Sequence, residues 1–358
     1  MGAITNALRA VLDWIYSIVS NYGWSIVIFT VLIKVVLMPL DIKNRKGMRK
    51  MAQIQPELNK LQKKYANDKQ KLQQKQQELM RKERYSPLSG CLPMLVQMPI
   101  LFAMFGAMRA LANEQIVEQV FTFLTGQVPQ YEGWLWVKNI WMADSLFAPI
   151  TPDINAIKMI PLDVWQKVQQ TLTPEQIQVI IQHIVSAVPE FSAEMFTFAT
   201  NDNLQALLPS ISAALAQMPQ YIEQVKPMAG WGNLNFFLFN VTVFFNYNGY
   251  LILPVMAGLS QVLMTKLTPG AAGAAPIPTG DQQGTGAQQG AGMGNFMKYF
   301  FPLFSVYITL TSNAGFALYW VVSNLMATAK SYLIGRHFDR PATPEDEAKG
   351  AIAAKCGH

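Results

Sequence analysis

Apolar positions along the chain gather into five long runs, at residues 24–40, 91–111, 249–267, 296–310 and 316–334. They predict membrane-spanning helices over 23–40, 89–111, 249–267, 296–312 and 314–335. A bilayer core takes about 20 helical residues, so the fourth run is short. Asn313-Ala314-Gly315 predicts a tight turn that joins it to the fifth as a helical hairpin, and tilt or local thinning absorbs the mismatch. Between the first two runs, Met48, Met51, Ile54, Leu58, Leu61 and Tyr65 recur every three or four residues. That period is an apolar stripe on a basic helix. Asn67-Asp68 turns the chain, Leu72 and Leu79 face back from a second arm, and Ser86-Pro87 ends it. A helical hairpin over 41–88 is therefore expected. Ahead of the first run, Ile4, Leu8, Val11, Leu12, Ile15, Ile18 and Val19 predict an amphipathic helix within 1–22. It lies on the outer leaflet or packs against the spans.

The polar region 112–248 has a different pattern. Trp134, Trp136 and Trp141 cluster as an interfacial aromatic belt would. Beyond them, 151–248 reads as an α-helical insertion. Thr173-Pro174-Glu175-Gln176 supplies the N-cap, N1 proline and N3 glutamine of a helix start. Ile177, Ile180, Ile181, Ile184 and Val188 follow as its apolar face. Residues 268–295, rich in Gly, Ala and Gln, predict a flexible loop, and 336–358 a tail. The loop's glycines lack the Gly-Lys-Ser/Thr of a phosphate loop.

Composition turns these runs into a membrane protein. The chain is 51% hydrophobic and 14% charged, against about 25% charged in a soluble domain. Charge placement then sets the orientation. Residues 41–88 carry fourteen of the chain's 28 Lys and Arg against five acids, whereas 112–248 carry four lysines against eleven acids. Basic loops stay in the cytoplasm. The expected fold class is thus an all-α integral membrane protein with five transmembrane helices, a cytoplasmic helical hairpin and an extracytoplasmic α-helical insertion. Its N-terminus is outside and its C-terminus cytoplasmic. No cleavable signal peptide and no transit peptide are expected. Cys91 and Cys356 fall on the reducing side, so no disulfide is expected either.

Catalytic chemistry is not apparent. His183, His337 and His358 are too scattered for a metal site, and no serine-centred nucleophile elbow occurs. No enzyme activity, cofactor or sequence-specific nucleic acid is expected. The informative residue is Lys34, inside the first apolar run. A lysine at mid-span costs about 2.5–3.5 kcal/mol on insertion scales. It marks a functional site facing a wet cavity or a partner charge, or its stem snorkels to the cytoplasmic side.

Residues 85–105, YSPLSGCLPMLVQMPILFAMF, resemble the YidC/Oxa/Alb family of membrane protein insertases through Pro87, Gly90-Cys91, Pro93, Gln97 and Pro99. The similarity extends to Pro39-Leu40, Gln55-Pro56-Glu57, Asp68-Lys69-Gln70, Trp134-Leu135-Trp136-Val137, Leu253-Pro254, Lys298-Tyr299 with Pro302, and the stretch GFALYWVVSN from Gly315 to Asn324. It covers roughly 23–111 and 248–337. The resemblance implies five helices around a hydrophilic groove, open to cytoplasm and lipid and closed outside. It also implies one intramembrane cation on the first span, usually arginine, which Lys34 matches. Thr30, Gln97, Ser260, Gln261 and Trp320 are the expected companions of Lys34 in the groove. Gln97 and Gln261 also fit as interhelical hydrogen-bond glue. Met48, Met51, Ile54 and Leu58 are the expected substrate contacts of the hairpin. The implied function is a membrane protein insertase and folding chaperone. Its partners are nascent membrane proteins and the lipid bilayer, with the ribosome, the Sec translocon and an exported protein at the insertion as further candidates. A membrane scaffold or assembly factor using the outer domain, and a small-solute transporter, are the alternatives. The insertion sits elsewhere than the large outer domain of some members, and the tail is not strongly basic.

Overall fold

The computed structural model describes residues 2–83, 88–232, 234–236, 239–267 and 286–338. The chain begins with α1 (Gly2–Val19) and α2 (Tyr22–Val36). Asn21 caps α2, its side chain accepting a hydrogen bond from the Trp24 amide. The first apolar helix stops at Val36 rather than running to residue 40, and α3 (Met38–Lys64) restarts after Leu37. Pro39 explains the break, since it has no N–H to give and its ring crowds the preceding turn. The helix α4 (Lys69–Lys82), N-capped by Asp68, folds back on α3.

Next comes α5 (Leu88–Leu124), which continues thirteen residues past the end expected for the second span. Its extension belongs to the insertion, which adds α6 (Ile154–Ile157), α7 (Leu162–Gln169), α8 (Pro174–Ala187), a short 3-10 turn (Ala193–Met195), α9 (Asn201–Leu215) and α10 (Pro219–Val225). The capping box of Thr173 and Gln176 forms as the sequence predicts. The all-α expectation is corrected at β1 (Leu234–Phe236) and β2 (Phe239–Val241), an antiparallel pair. Apolar residues alternating with Asn235 and Asn240 are a strand signal. The remaining helices are α11 (Ile252–Leu267), α12 (Gly286–Thr311) and α13 (Ala314–Phe338). Helix α12 starts ten residues before the expected loop ends, although four of those ten are glycines, which disfavour a helix. Residues 268–285 of that loop, and the tail from 339, lie outside the described residues.

Among the described residues, Met98–Leu124 is the one helical stretch long and apolar enough to cross a membrane by itself. Tyr22–Val36, Ile252–Leu267 and Tyr299–Thr311 are shorter apolar helices. Two hydrophobic cores organise the molecule. One joins α1, α2, α5, α11 and α13 through Leu12, Phe29, Met108, Leu253 and Tyr319, together with Trp141. The other lies inside the insertion around Trp165, Ile180, Ile211 and Leu215, and it includes Val117–Leu124 of α5. The insertion is therefore built on the end of α5 and does not begin at residue 151.

Three polar devices tie the two cores together. Arg9 of α1 makes two hydrogen bonds of 2.5 Å to the carboxylate of Glu114 on α5, which also accepts one from Lys167 of α7 at 2.8 Å. Asn139 and Asn248, both fully buried, bond reciprocally where the chain enters and leaves the insertion, at 2.7 and 2.8 Å. Asp144, also fully buried, accepts amide hydrogens of Tyr250 and Leu253 and the indole N–H of Trp136, and so caps the start of α11. A buried carboxylate is tolerable there because it accepts hydrogen bonds at a positive helix end. A side chain at Gly249 would collide with Asp144.

Candidate functional site

Helix α2 has two unlike faces. Gly23, Ser25, Ile26, Phe29, Thr30 and Lys34 are buried at helical spacing, whereas Val31, Leu32, Val35 and Val36 are exposed. The close approach at Gly23, where a side chain would strike the Trp134 ring, holds the head of that buried face against the loop that carries Trp134. Lys34 is 8% exposed and Thr30 is 1% exposed. The Thr30 hydroxyl bonds back to the Ile26 carbonyl at 2.6 Å. Lys34 therefore lies on the protein-facing side, one turn below Thr30. It also falls in the last turn of α2, where the helix end favours a cation.

Polar side chains from other helices are buried between apolar neighbours. On α11, Ser260 and Gln261 are almost fully covered. Both accept hydrogen bonds from the Asn324 side-chain amide of α13, at 3.2 and 3.1 Å. Ser305 and Thr309 of α12, and Ser323, Thr328 and Ser331 of α13, are buried as well. Serine and threonine hydroxyls satisfy themselves on carbonyls one turn back, as Thr309 does with Ser305 and Thr328 with Asn324. The result is a seam of polar groups inside an apolar helix bundle, the class of feature that marks a site in membrane proteins.

A charged group lies beside α2. Lys330 of α13 pairs with Asp41 in the first turn of α3, and both charges act on Lys34. The pair joins residues 289 apart and ties the base of the helical hairpin to the last helix. Neither this pair nor Asn324 was singled out from the sequence. Asp41 reads there as one more loop charge. Asn324 and Lys330, polar residues in an apolar run, were the signals available.

The expected site residues thus fall into separate groups. Thr30 and Lys34 share a face, and Ser260 and Gln261 meet through Asn324. Trp320 is half-buried, 5.8 Å from the Phe316 ring. The side chains of Gln97, Met48 and Met51 lie outside the described residues. Ile54 and Leu58 are corrected. They are 5% and 4% exposed and pack against Leu79 and Met80 of α4, so they form the hairpin's own seam. These two positions of the stripe are used in closing the hairpin.

The family model described as 60Kd inner membrane protein matches residues 14–208 and 213–341. The chain belongs to that family. The match runs through the insertion, so the family likeness does not stop at residue 111 as the motifs alone suggest. The chain is similar to a membrane protein insertase YidC of Fusobacterium nucleatum, 49% identical over 114 residues, which are 31% of this chain and 56% of the relative. It is similar to another of Thioalkalivibrio sulfidiphilus, 34% identical over 188 residues, 52% of this chain and 30% of the relative. A third, of Clostridium perfringens, is 39% identical over 142 residues, 40% of this chain and 52% of the relative. The chain thus spans between 30% and 56% of the length of these relatives.

Proposed function

We propose that this chain is a membrane protein insertase and folding chaperone, with α2, the apolar part of α5, α11, α12 and α13 as five membrane spans. In this reading the α3–α4 hairpin and the C-terminus are cytoplasmic, and α1 and the insertion lie on the outer side of a bacterial cell membrane. The observation that carries it is Lys34, buried with Thr30 on the inward face of an apolar helix, in a chain of this family.

The mechanism follows from the physical cost of crossing hydrocarbon. A substrate's acidic or polar flank cannot cross a bilayer core cheaply, but it can enter a polar seam lined by Thr30, Lys34, Ser260 and Gln261. The Lys34 charge attracts it, and the apolar distance left to cross is shorter. A membrane potential negative inside drives an acidic residue outward by about 2.3 kcal/mol per charge per 100 mV. The substrate's apolar helix then partitions into lipid, where it is more stable than in a wet seam. Exposed apolar residues on the outer faces of α2 and α11, such as Val36 and Leu259, leave those helices in contact with lipid and fit a site open on one side. The hairpin, stitched shut by Ile54 and Leu58, offers its basic outer surface to incoming chains, to lipid headgroups or to a ribosome.

Proteoliposomes containing only this protein test the reading. A single-span substrate added during translation is expected to become protected from external protease, and empty liposomes are expected not to protect it. Equal protection in both would contradict the proposal.

A further inference from the structure

The 39 residues between Lys226 and Lys266 contain no Asp, Glu, Lys or Arg. Fourteen of them belong to α11, but the 25 that precede it, 227–251, belong to the insertion and include eight aromatic residues. Every charge of the insertion falls at or before Lys226. The insertion is thus chemically divided into a charged helical body and an uncharged aromatic strip beside α11.

The strip is not spent on the core. Trp231, Phe245 and Tyr250 are 55%, 57% and 52% exposed. The fold holds them firmly: the Trp231 carbonyl accepts the Val243 amide hydrogen, and the Phe245 amide bonds to the Lys226 carbonyl. Phe147, also exposed, joins them because the Leu146 carbonyl accepts from the Phe244 amide. Tyr250 stands just before α11, whose Val255, Leu259 and Leu263 form an exposed apolar stripe at four-residue spacing. The Lys138 ammonium lies 4.6 Å from the centre of the Tyr247 ring, giving the strip a cationic edge.

We propose that this strip rests in the outer leaflet of the bilayer and anchors the insertion to the membrane. Two observations choose lipid over a protein partner. The strip continues the outward stripe of α11, and it carries aromatic rings with no charge and a lysine at its margin, the chemistry of a membrane interface. The inference rests on the reading of α11 as a membrane span.

Spin labels on the full chain in lipid nanodiscs test it, with Cys91→Ser and Cys356→Ser as background. Labels at Trp231→Cys and Phe245→Cys are expected to be open to oxygen and closed to a polar nickel chelate. They should match Leu259→Cys on α11 and be opposite to Met195→Cys on the charged body. If Leu259→Cys sits in lipid while the two strip labels are open to nickel, the anchor is refuted and the span stands. Shielding of the strip labels from both reagents would mean a protein cover, and refutes it equally. Loss of the lipid signal at Leu259→Cys would overturn the span and the anchor together. If the cysteine-free background does not fold, the fluorescence lost in Trp231→Phe replaces the labels. It is expected to be quenched at least twofold by lipids brominated high in the acyl chain, as Trp24 is at the head of α2, and an unquenched signal refutes the anchor.

Discussion

Lys34, Asp41 and Lys330 place two cations and one anion at one end of the polar seam. Asp41→Asn leaves Lys330 facing Lys34 without its carboxylate, so it is expected to destabilise the fold more than Lys330→Gln does. A double-mutant cycle on Asp41 and Lys330, read by thermal unfolding in detergent, should give a coupling of about 0.5–3 kcal/mol. Additive effects would mean that the pair does not tie the hairpin to α13. A second test falls on Asn324, which the sequence shows only as the end of the GFALYWVVSN stretch. Asn324→Leu strands Ser260 and Gln261 in an apolar surrounding and is expected to cost about 1–3 kcal/mol. Lys34 could be read from the sequence because a charge in an apolar run stands alone. Its neighbours could not, because Asp41 and Lys330 are distant in the chain and meet only because α13 packs along α2, from which α3 continues.

At the scale of elements, periodicity predicted α1, α4 and α8 well, because each has a repeating apolar face, and Asp68 and Thr173 cap the last two. It misread what two faces do. The stripe containing Ile54 and Leu58 closes the hairpin, and the end of α5 is core for the insertion. Hydropathy reports that a face is apolar but not what covers it. The Arg9–Glu114–Lys167 network leads to a measurable consequence, since it joins α1, α5 and α7. Glu114→Ala leaves a partly buried guanidinium without its main partner and should cost about 1–3 kcal/mol. Limited proteolysis is expected to cut the insertion faster in that variant, and an unchanged rate would contradict the role.

The molecule as a whole is two cores joined through α5 and a neck at residues 145–150 and 244–248. The sequence pattern starts the helical insertion at residue 151. The structure puts its root deeper, because Val117, Val120, Phe121, Phe123 and Leu124 are buried against it. Replacing 151–245 with a Gly/Ser linker is therefore expected to yield a protein that aggregates. The same replacement with Val120 and Phe121 changed to polar residues should restore a soluble detergent complex. If the plain replacement behaves as well as the native chain, the extension of α5 is not part of that core.

The central claim is that one buried charge on α2 draws acidic flanks of substrates into the membrane. The direct measurement is insertion by Lys34→Ala and Lys34→Arg proteins of paired single-span substrates, identical except for an acidic or a neutral translocated tail. Lys34→Arg is expected to insert both at near-native rates. Lys34→Ala should lose about tenfold on the acidic tail, the effect of roughly 1.4 kcal/mol, and much less on the neutral one. Equal rates on both tails for the alanine variant would contradict the account.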